Sequence, residues 1–224
     1  MRHHLSRTVL LAAVAVLCAG PAAARAESRG GGARLVPAHV IHGVTGGELV
    51  GVDFARAYAG APTPDCLRLG RSSEILQVGP NGAPMTCTVK PGTPIFVFGF
   101  GSACSDIDPR DSGFFAIGEA AQRRCAREHT REDVIAVNVA VDGRVSVDIA
   151  SDRFEVTSPQ VTAVVGSDDN PFDVPAGTTA HLVGDIYAAA IRGLPPGRHT
   201  ILVDAETVFG ELTGTTIVDV VPSE

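Results

Sequence analysis

From Asp133 onward apolar residues recur at every second position, and this alternation constrains the fold more than any other feature of the chain. Ile135, Val137, Val139 and Val141 alternate with smaller or polar residues. After Asp142-Gly143, Val145, Val147 and Ile149 alternate with Arg144, Ser146 and Asp148. A period of two is the mark of a strand with one face buried. A three-residue loop of Val141, Asp142 and Gly143, with Gly143 at positive φ, would set Val139 opposite Val145 and Val137 opposite Val147. Further strands are expected at Arg153 to Thr157, Gln160 to Val165, His181 to Ile191, Thr200 to Val208 and Thr215 to Val221. Pro195-Pro196-Gly197-Arg198 suits a type II turn. Roughly six or seven short antiparallel strands with frequent turns read as a mainly β protein, an Ig-like antiparallel β-sandwich.

The first half carries helix signals. Thr45-Gly46-Gly47-Glu48 has capping-box spacing. A helix should follow with Leu49, Val52, Phe54, Ala55 and Tyr58 on its apolar side, stopped by Gly60, Pro62 and Pro64. Pro37 to Val44, Glu74 to Val78, Met85 to Val89 and Pro94 to Phe100 read as short strands, and Ser102 to Ser112 as a polar loop. Phe114, Ile117, Gly118, Ala121 and Cys125 form a helical stripe. The sandwich is thus expected to carry two short helices and a disulfide-stapled segment as decorations.

The N-terminus reads as a cleaved export signal. Arg2, His3, His4 and Arg7 make a basic start, and Ala24-Arg25-Ala26 places small residues at the two positions a signal peptidase reads. The apolar run Val9 to Cys18 is shorter than the about 20 residues a spanning helix needs. The expected organisation is therefore a signal peptide over 1–26, a Gly-rich flexible linker over 27–35 and one domain over 36–224, secreted and without a membrane span in its mature form. Three of the 18 basic residues and none of the 25 acidic ones precede the cut, which leaves a net charge of −10. Such a surface argues against nucleic acid as a partner; export makes any partner an extracellular or envelope one. Arg far outnumbers the single Lys, and Ala, Gly and Val are abundant, as in a GC-rich bacterial genome.

Cys18 leaves with the signal. Cys66, Cys87, Cys104 and Cys125 remain, an even number in an oxidising compartment and without C-x-x-C spacing. Three pairings are possible; the sequential one, Cys66–Cys87 and Cys104–Cys125, closes two short local loops and is the expected pairing.

Several segments in order carry a resemblance. They are the early helix, Cys66, Cys87-Thr88-Val89-Lys90-Pro91-Gly92, Cys104, a helix bearing Cys125, the Val-Asp-Gly hairpin, and Gly193-Leu194-Pro195-Pro196-Gly197-Arg198-His199-Thr200-Ile201. The chain from about Thr45 resembles a group of uncharacterised secreted bacterial proteins with a C-T-V-x-x-G segment and a late L-x-P-G-x-H-T-I strand start. Members of that group are rich in Trp along the early helix; this chain has none and offers Phe54 and Tyr58. The resemblance implies fold and secretion, and no activity.

Chemistry-bearing motifs are sparse. G-x-S-x-G and H-E-x-x-H are absent. His129 lies near Asp133, with Ser112 upstream, which would be the parts of a triad if the fold joined them. His39 and His42 are three apart in an extended or loop region. Asp106, Asp108 and Asp111 make a D-x-D-x-x-D cluster that could offer oxygens to Ca²⁺, but an EF-hand loop needs Gly where Asp111 stands and Glu where Ile117 stands. Asp168, Asp169, Asn170 and Asp173 form a second acidic loop. His199, at a strand start, is expected to bond to the backbone. Gly99-Phe100-Gly101 lacks the remainder of a dinucleotide fingerprint, so no cofactor is expected. Aromatic platforms for sugars or single strands are also lacking, at 5% aromatic residues and no Trp. The expected function is that of a secreted non-catalytic binding or envelope component. The alternative is a secreted hydrolase whose site is assembled from residues distant in sequence.

Overall fold

The computed structural model describes residues 33–222 apart from 63, 71–73, 81 and 145, so the expected signal peptide lies outside the described residues. In chain order the elements are β1 (Arg34–Pro37), β2 (Val40–Ile41), β3 (Val44–Thr45), α1 (Gly46–Tyr58), β4 (Arg68–Leu69), β5 (Ile75–Val78), β6 (Met85–Val89) and β7 (Ile95–Ser105). They continue with α2 (Glu119–Asp133), β8 (Val134–Val141), β9 (Val147–Asp148), β10 (Glu155–Thr157), β11 (Val161–Val164), β12 (Thr179–Arg192), β13 (Gly197–Thr207) and β14 (Gly210–Val220). The protein is mainly β; among the described residues there are two helices and two disulfides, and the sheets form a sandwich.

The first sheet runs β1-β12-β7-β5-β4, with β10 and β11 also paired to β12; the second runs β6-β14-β13-β8-β9. The long β12 has β7 along one side. Its other side is shared end to end by β11, β10 and β1. Leu76, Val78, Ile95, Val97 and Ala189 of the first sheet meet Val137, Val139, Ile201, Val203 and Val218 of the second in the main core. The opposite face of the first sheet is covered too. There Ile75, Phe96, Ile186, Ala188 and Ala190 pack with Leu49 and Val50 of α1. This explains why β12 reads Tyr187-Ala-Ala-Ala-Ile191 without alternation: a strand buried on both faces needs none.

Two pairings depart from the expected antiparallel layout. β5 runs parallel to β7, and β6 runs parallel to β14. The chain leaves the first sheet after β5, places β6 in the second, and returns as β7 in the direction of β5. Cys66 is joined to Cys87 and Cys104 to Cys125, the sequential pairing. The first bridge ties the segment before β4 to β6 in the other sheet. The second ties β7 to α2.

Helix α1 starts on a complete capping box. The Glu48 N–H donates to Thr45 Oγ1 at 3.1 Å, and the Thr45 N–H donates to the Glu48 carboxylate at 2.7 Å. It ends in a Schellman pair around Gly60 at φ 65, where Gly60 and Ala61 N–H groups donate to Ala57 and Arg56 carbonyls. Val52, expected on the apolar side, is 48% exposed, and Val50 is buried instead. The reason lies in the glycines: a Cβ on Gly47 would stand 2.6 Å from the Thr157 carbonyl, and one on Gly51 2.7 Å from Val161. The helix packs its glycine side close on β10 and β11, and this turns Val52 outward.

Other expectations are corrected. The last two residues of the expected linker belong to β1, and Pro37 to Val44 is broken among three short strands. The expected polar loop from Ser102 is strand as far as Ser105, because β12 continues alongside it. The stripe beginning at Phe114 mostly precedes α2, and Ile117 is 67% exposed. The helix instead buries Gln122, Ala126 and Thr130 at a spacing of four. Gln122 satisfies its amide by donating to the Ala116 and His181 carbonyls while accepting from Gln160. Such polar contacts are invisible to a search for apolar periodicity.

The hairpin after β8 also differs. Both Asp142 (φ 54) and Gly143 (φ 65) are left-handed, and the Arg144 N–H donates to Val141 O at 3.1 Å. This is the signature of a two-residue type I′ turn rather than a three-residue loop. Beyond the turn the β9 side carries one extra residue: Val139 faces Val147, neither the expected Val145 nor the Ser146 of a plain two-residue loop, and β9 is only two residues long. The Pro195-Pro196-Gly197-Arg198 segment does not close as a turn either. Gly197 opens β13 at φ 133, and the Pro195 carbonyl accepts from His199.

Candidate functional site

Among the described residues three histidines meet carboxylates, and the geometry of each decides whether it can do chemistry. His199 on β13 places Nδ1 2.9 Å from Asp142 Oδ2 and Nε2 2.8 Å from the Pro195 carbonyl oxygen. Both ring nitrogens face acceptors, so both must donate, and the ring is held as imidazolium. Burial alone would lower the His199 pKa, but the Asp142 carboxylate and the Pro195 carbonyl outweigh it and hold it above its ordinary value. Burial would likewise raise Asp142; the bonds from His199 and the Thr200 N–H outweigh it and hold the carboxyl low. Such a ring cannot take a proton from a nucleophile. It clasps the hairpin turn to the start of β13.

The sign of the pH dependence follows. The raised histidine contributes fully below its unfolded value of 6.5 and loses its contribution as pH rises through its folded value. The lowered aspartate contributes fully above 3.8 and loses its contribution as pH falls through its folded value. The clasp is therefore complete between those limits. Asp142→Asn should cost about 1 kcal/mol at pH 5.5, a size that allows for a carboxylate about a third open to water, and less at pH 9. Urea melts at the two pH values check this; an equal loss at both would show that the ion pair is not what the substitution removes.

His129 on α2 stands 3.3 Å from Asp133, with its other nitrogen 3.1 Å from the Gly113 carbonyl and its ring stacked on Phe114. Ser112 does not complete a triad. Its hydroxyl donates to the Pro109 carbonyl at 2.7 Å, while its oxygen accepts from the Phe114 N–H. His181 pairs with Asp106 at 2.8 Å, and the same carboxylate takes the His181 N–H. His39 and His42 sit in the small β2–β3 corner, with His42 at φ 49.

The calcium candidates are drawn apart. Asp106 turns to His181. Asp108 accepts from Ser105 and from the Tyr58 hydroxyl at 2.8 Å. Asp111 is exposed. Burial raises the Asp108 pKa against the bonds it receives, and burial with the neighbouring Asp108 raises that of Tyr58. In the second acidic loop Asn170 is the hub. Its amide donates to the Ser167 and Val174 carbonyls, while Asp168 caps the Ala176 N–H. Among the described residues no three His, Cys, Asp or Glu side chains converge as metal ligands.

The feature that sequence reasoning missed is the tip of the β13–β14 hairpin. Val208, Phe209 and Leu212 are 56%, 77% and 40% exposed, and Ile135 nearby is 55% exposed. Ile135 is the unpaired residue of a bulge: Glu206 faces Ala136 and Thr207 faces Val134. The tip is held rigidly. The Thr207 hydroxyl donates to the Gly210 carbonyl and accepts from the Phe209 N–H, and the Val208 N–H donates to the Asp133 carbonyl at the end of α2. Behind the apolar tip, Glu206 and Glu211 face each other directly across the strands. Like charges in that position destabilise a hairpin unless a cation comes between them. The signal was present in the sequence: Thr207-Val-Phe-Gly210 joins two strands with bulky apolar residues where a turn calls for polar ones.

No family model matches the chain, and no curated protein does. Among solved structures it has a distant likeness to the solution structure of amebosin, at 11% identity over 66% of this chain and 98% of that one, with a TM-score of 0.25. PbICP-C, solved in complex with falcipain-2, is 10% identical over 66% of this chain and 99% of its own, with a TM-score of 0.27. The cysteine protease inhibitor EhICP2 from Entamoeba histolytica is 9% identical over 64% and 95%, with a TM-score of 0.22. TM-scores of this size fall short of a shared fold.

Proposed function

We propose that the chain is a secreted, non-catalytic binding protein that seats the β13–β14 tip in an apolar recess of an extracellular or envelope protein. The observation that carries this reading is the hydrogen-bonded tip that leaves Val208 and Phe209 exposed, with Leu212 and Ile135 exposed at neighbouring strand positions. An aromatic anchor fixed in advance loses little freedom on binding, which is what binding hot spots share. The facing carboxylates Glu206 and Glu211 favour a partner with a basic residue beside its recess. The His199 clasp supports the same reading, since its ring nitrogens are engaged in holding the fold. The disulfides fit an extracellular protein, and among the described residues no helix is long and apolar enough to cross a membrane.

A photoreactive phenylalanine analogue placed at Phe209 in the producing cells tests this. Irradiation should yield one dominant protein adduct, which the same analogue at Glu128 on the exposed side of α2 does not give. Substituting Val208→Ser beside it should abolish the adduct without lowering the melting temperature, because both side chains are exposed. Diffuse labelling that matches the Glu128 control would refute the proposal.

A further inference from the structure

Asp185 is fully buried on β12, and one of its carboxyl oxygens has no partner. The other accepts from the Thr157 hydroxyl on β10. The helix that covers this acid is fixed to it by a polar contact. The Thr130 hydroxyl of α2 donates to the Asp185 carbonyl at 2.8 Å and accepts from the Ser102 N–H of β7 at 3.1 Å. Asp185 and Ser102 face each other across β12 and β7, so this hydroxyl is set into the seam between the two strands. The same end of α2 holds the β13–β14 tip. The Asp133 carbonyl, one turn beyond Thr130, accepts the Val208 N–H at 2.8 Å, and the Val134 N–H that closes the helix donates to the Thr130 carbonyl. A single helical turn thus meets the buried acid at its start and the tip at its end.

The charged groups around Asp185 serve one another rather than it. On α2, Arg127 and Arg131 both bond to Glu155 of β10, and Arg131 also to Asp152. Glu155 adds its own negative charge, which Arg127 offsets in part. Tyr187, two residues on along β12, keeps its proton, because burial raises its pKa. The paired strand β7 carries no acid or base, and neither does β11. On the other face of the sheet α1 sets Phe54 against Gly184. A protonated Asp185 needs no counter-ion. An ionised one needs a donor for its open oxygen, and a buried charge without one is costly.

We infer that Asp185 is a proton-operated latch on the β13–β14 tip. With its proton, it lets α2 close over β12 and hold the tip through Asp133. Without it, the open oxygen draws water beneath α2, Thr130 leaves the seam, and the Asp133–Val208 bond loosens. This regulation of binding rests on the reading of the tip as the binding element. The direction follows from burial, which raises the Asp185 pKa from 3.8 to about 7. The folded chain keeps the proton at pH 5 and has given it up by pH 8.5, so the latch is closed in acid and opens as pH rises through about 7. The tip is therefore presented in its fixed form on the acid side of neutrality.

An NMR titration of the free protein tests the latch, read at the Val208 amide proton. In the parent this resonance should move upfield in one step centred near pH 7, as its bond to Asp133 is lost. Asp185→Asn should abolish the step and leave the resonance at its acid position throughout. His129 lies 3.3 Å from Asp133 and also titrates near neutrality, so the variant that keeps His129 and removes only the Asp185 proton is the one that decides. Thr130→Val keeps the shape of the side chain and removes the hydroxyl. It should place the resonance at its alkaline position even at pH 5, while Thr130→Ser should titrate like the parent. A parent without the step, a step that persists in Asp185→Asn, or a Thr130→Val variant that titrates like the parent would each overturn the proposal. No partner enters this measurement. A failed crosslink at Phe209 therefore refutes the binding reading alone, and a flat titration refutes the latch alone.

Discussion

Asp185→Asn should stabilise the protein by about 3–4 kcal/mol at pH 8 and by almost nothing at pH 4. Asp185 is fully buried on β12. One carboxyl oxygen accepts from the Thr157 hydroxyl, and the other has no partner. Burial pushes its pKa up from 3.8 to about 7, the bond from Thr157 opposes this, nearby Glu155 adds to it, and Arg127 partly offsets it. The folded chain therefore holds a proton that the unfolded chain gives up near 3.8. Stability is highest below that value and falls as pH rises toward 7, beyond which the full cost of a buried unpaired charge or a retained proton applies. Asparagine has the shape of the protonated acid and no charge to bury, so its advantage grows through that window. Guanidinium melts of both proteins at pH 4, 6 and 8 give the measurement. A difference that stays flat with pH would mean that Asp185 is solvated or paired in solution.

The same residue shows how far the sequence could be read. His181 to Ile191 is legible as a strand, and the observed β12 contains it. An acid isolated among Leu182, Val183, Ile186 and Ala188 could have been singled out as buried, yet nothing local says what would cover it. That cover is α2, whose Thr130 hydroxyl bonds to the Asp185 carbonyl, and α2 itself was placed too early because its packed side is polar. The capping box at Thr45 and Glu48 was legible because its two bonds are local. The Asp142 turn was misread because its register depends on His199 and Thr200, far along the chain. The hairpin tip was legible in composition but hidden by treating Thr200 to Val208 as strand to its end.

Removing the bridge between β7 and α2 by Cys104→Ala with Cys125→Ala should cost about 3 kcal/mol. The two bridges have the same sequence separation, 21, so loop-closure entropy assigns them equal shares. Cys66→Ala with Cys87→Ala should therefore cost about the same. Denaturant melts of both double variants check this. The consequences should nonetheless differ in place. Without Cys104–Cys125, amide exchange should speed up along α2, and the pH dependence due to Asp185 should shrink as water reaches it. Without Cys66–Cys87, α2 should stay protected. Uniform loss of protection in both variants would show that neither bridge governs a local part of the fold.

The parallel pairing of β6 with β14 has a consequence for time rather than for equilibrium. Until β14 is in place, β6 has no neighbour in its own sheet, and β14 joins it from the far end of the described chain. Closing so distant a contact is slow, because the entropy of the intervening loop is lost before the strand pair is gained. Cys87 lies on β6, so the bridge to Cys66 fastens that strand against the first sheet while it waits. Refolding from the reduced state should accordingly lag behind refolding with the bridges intact, and β6 should be the last strand to acquire protected amides.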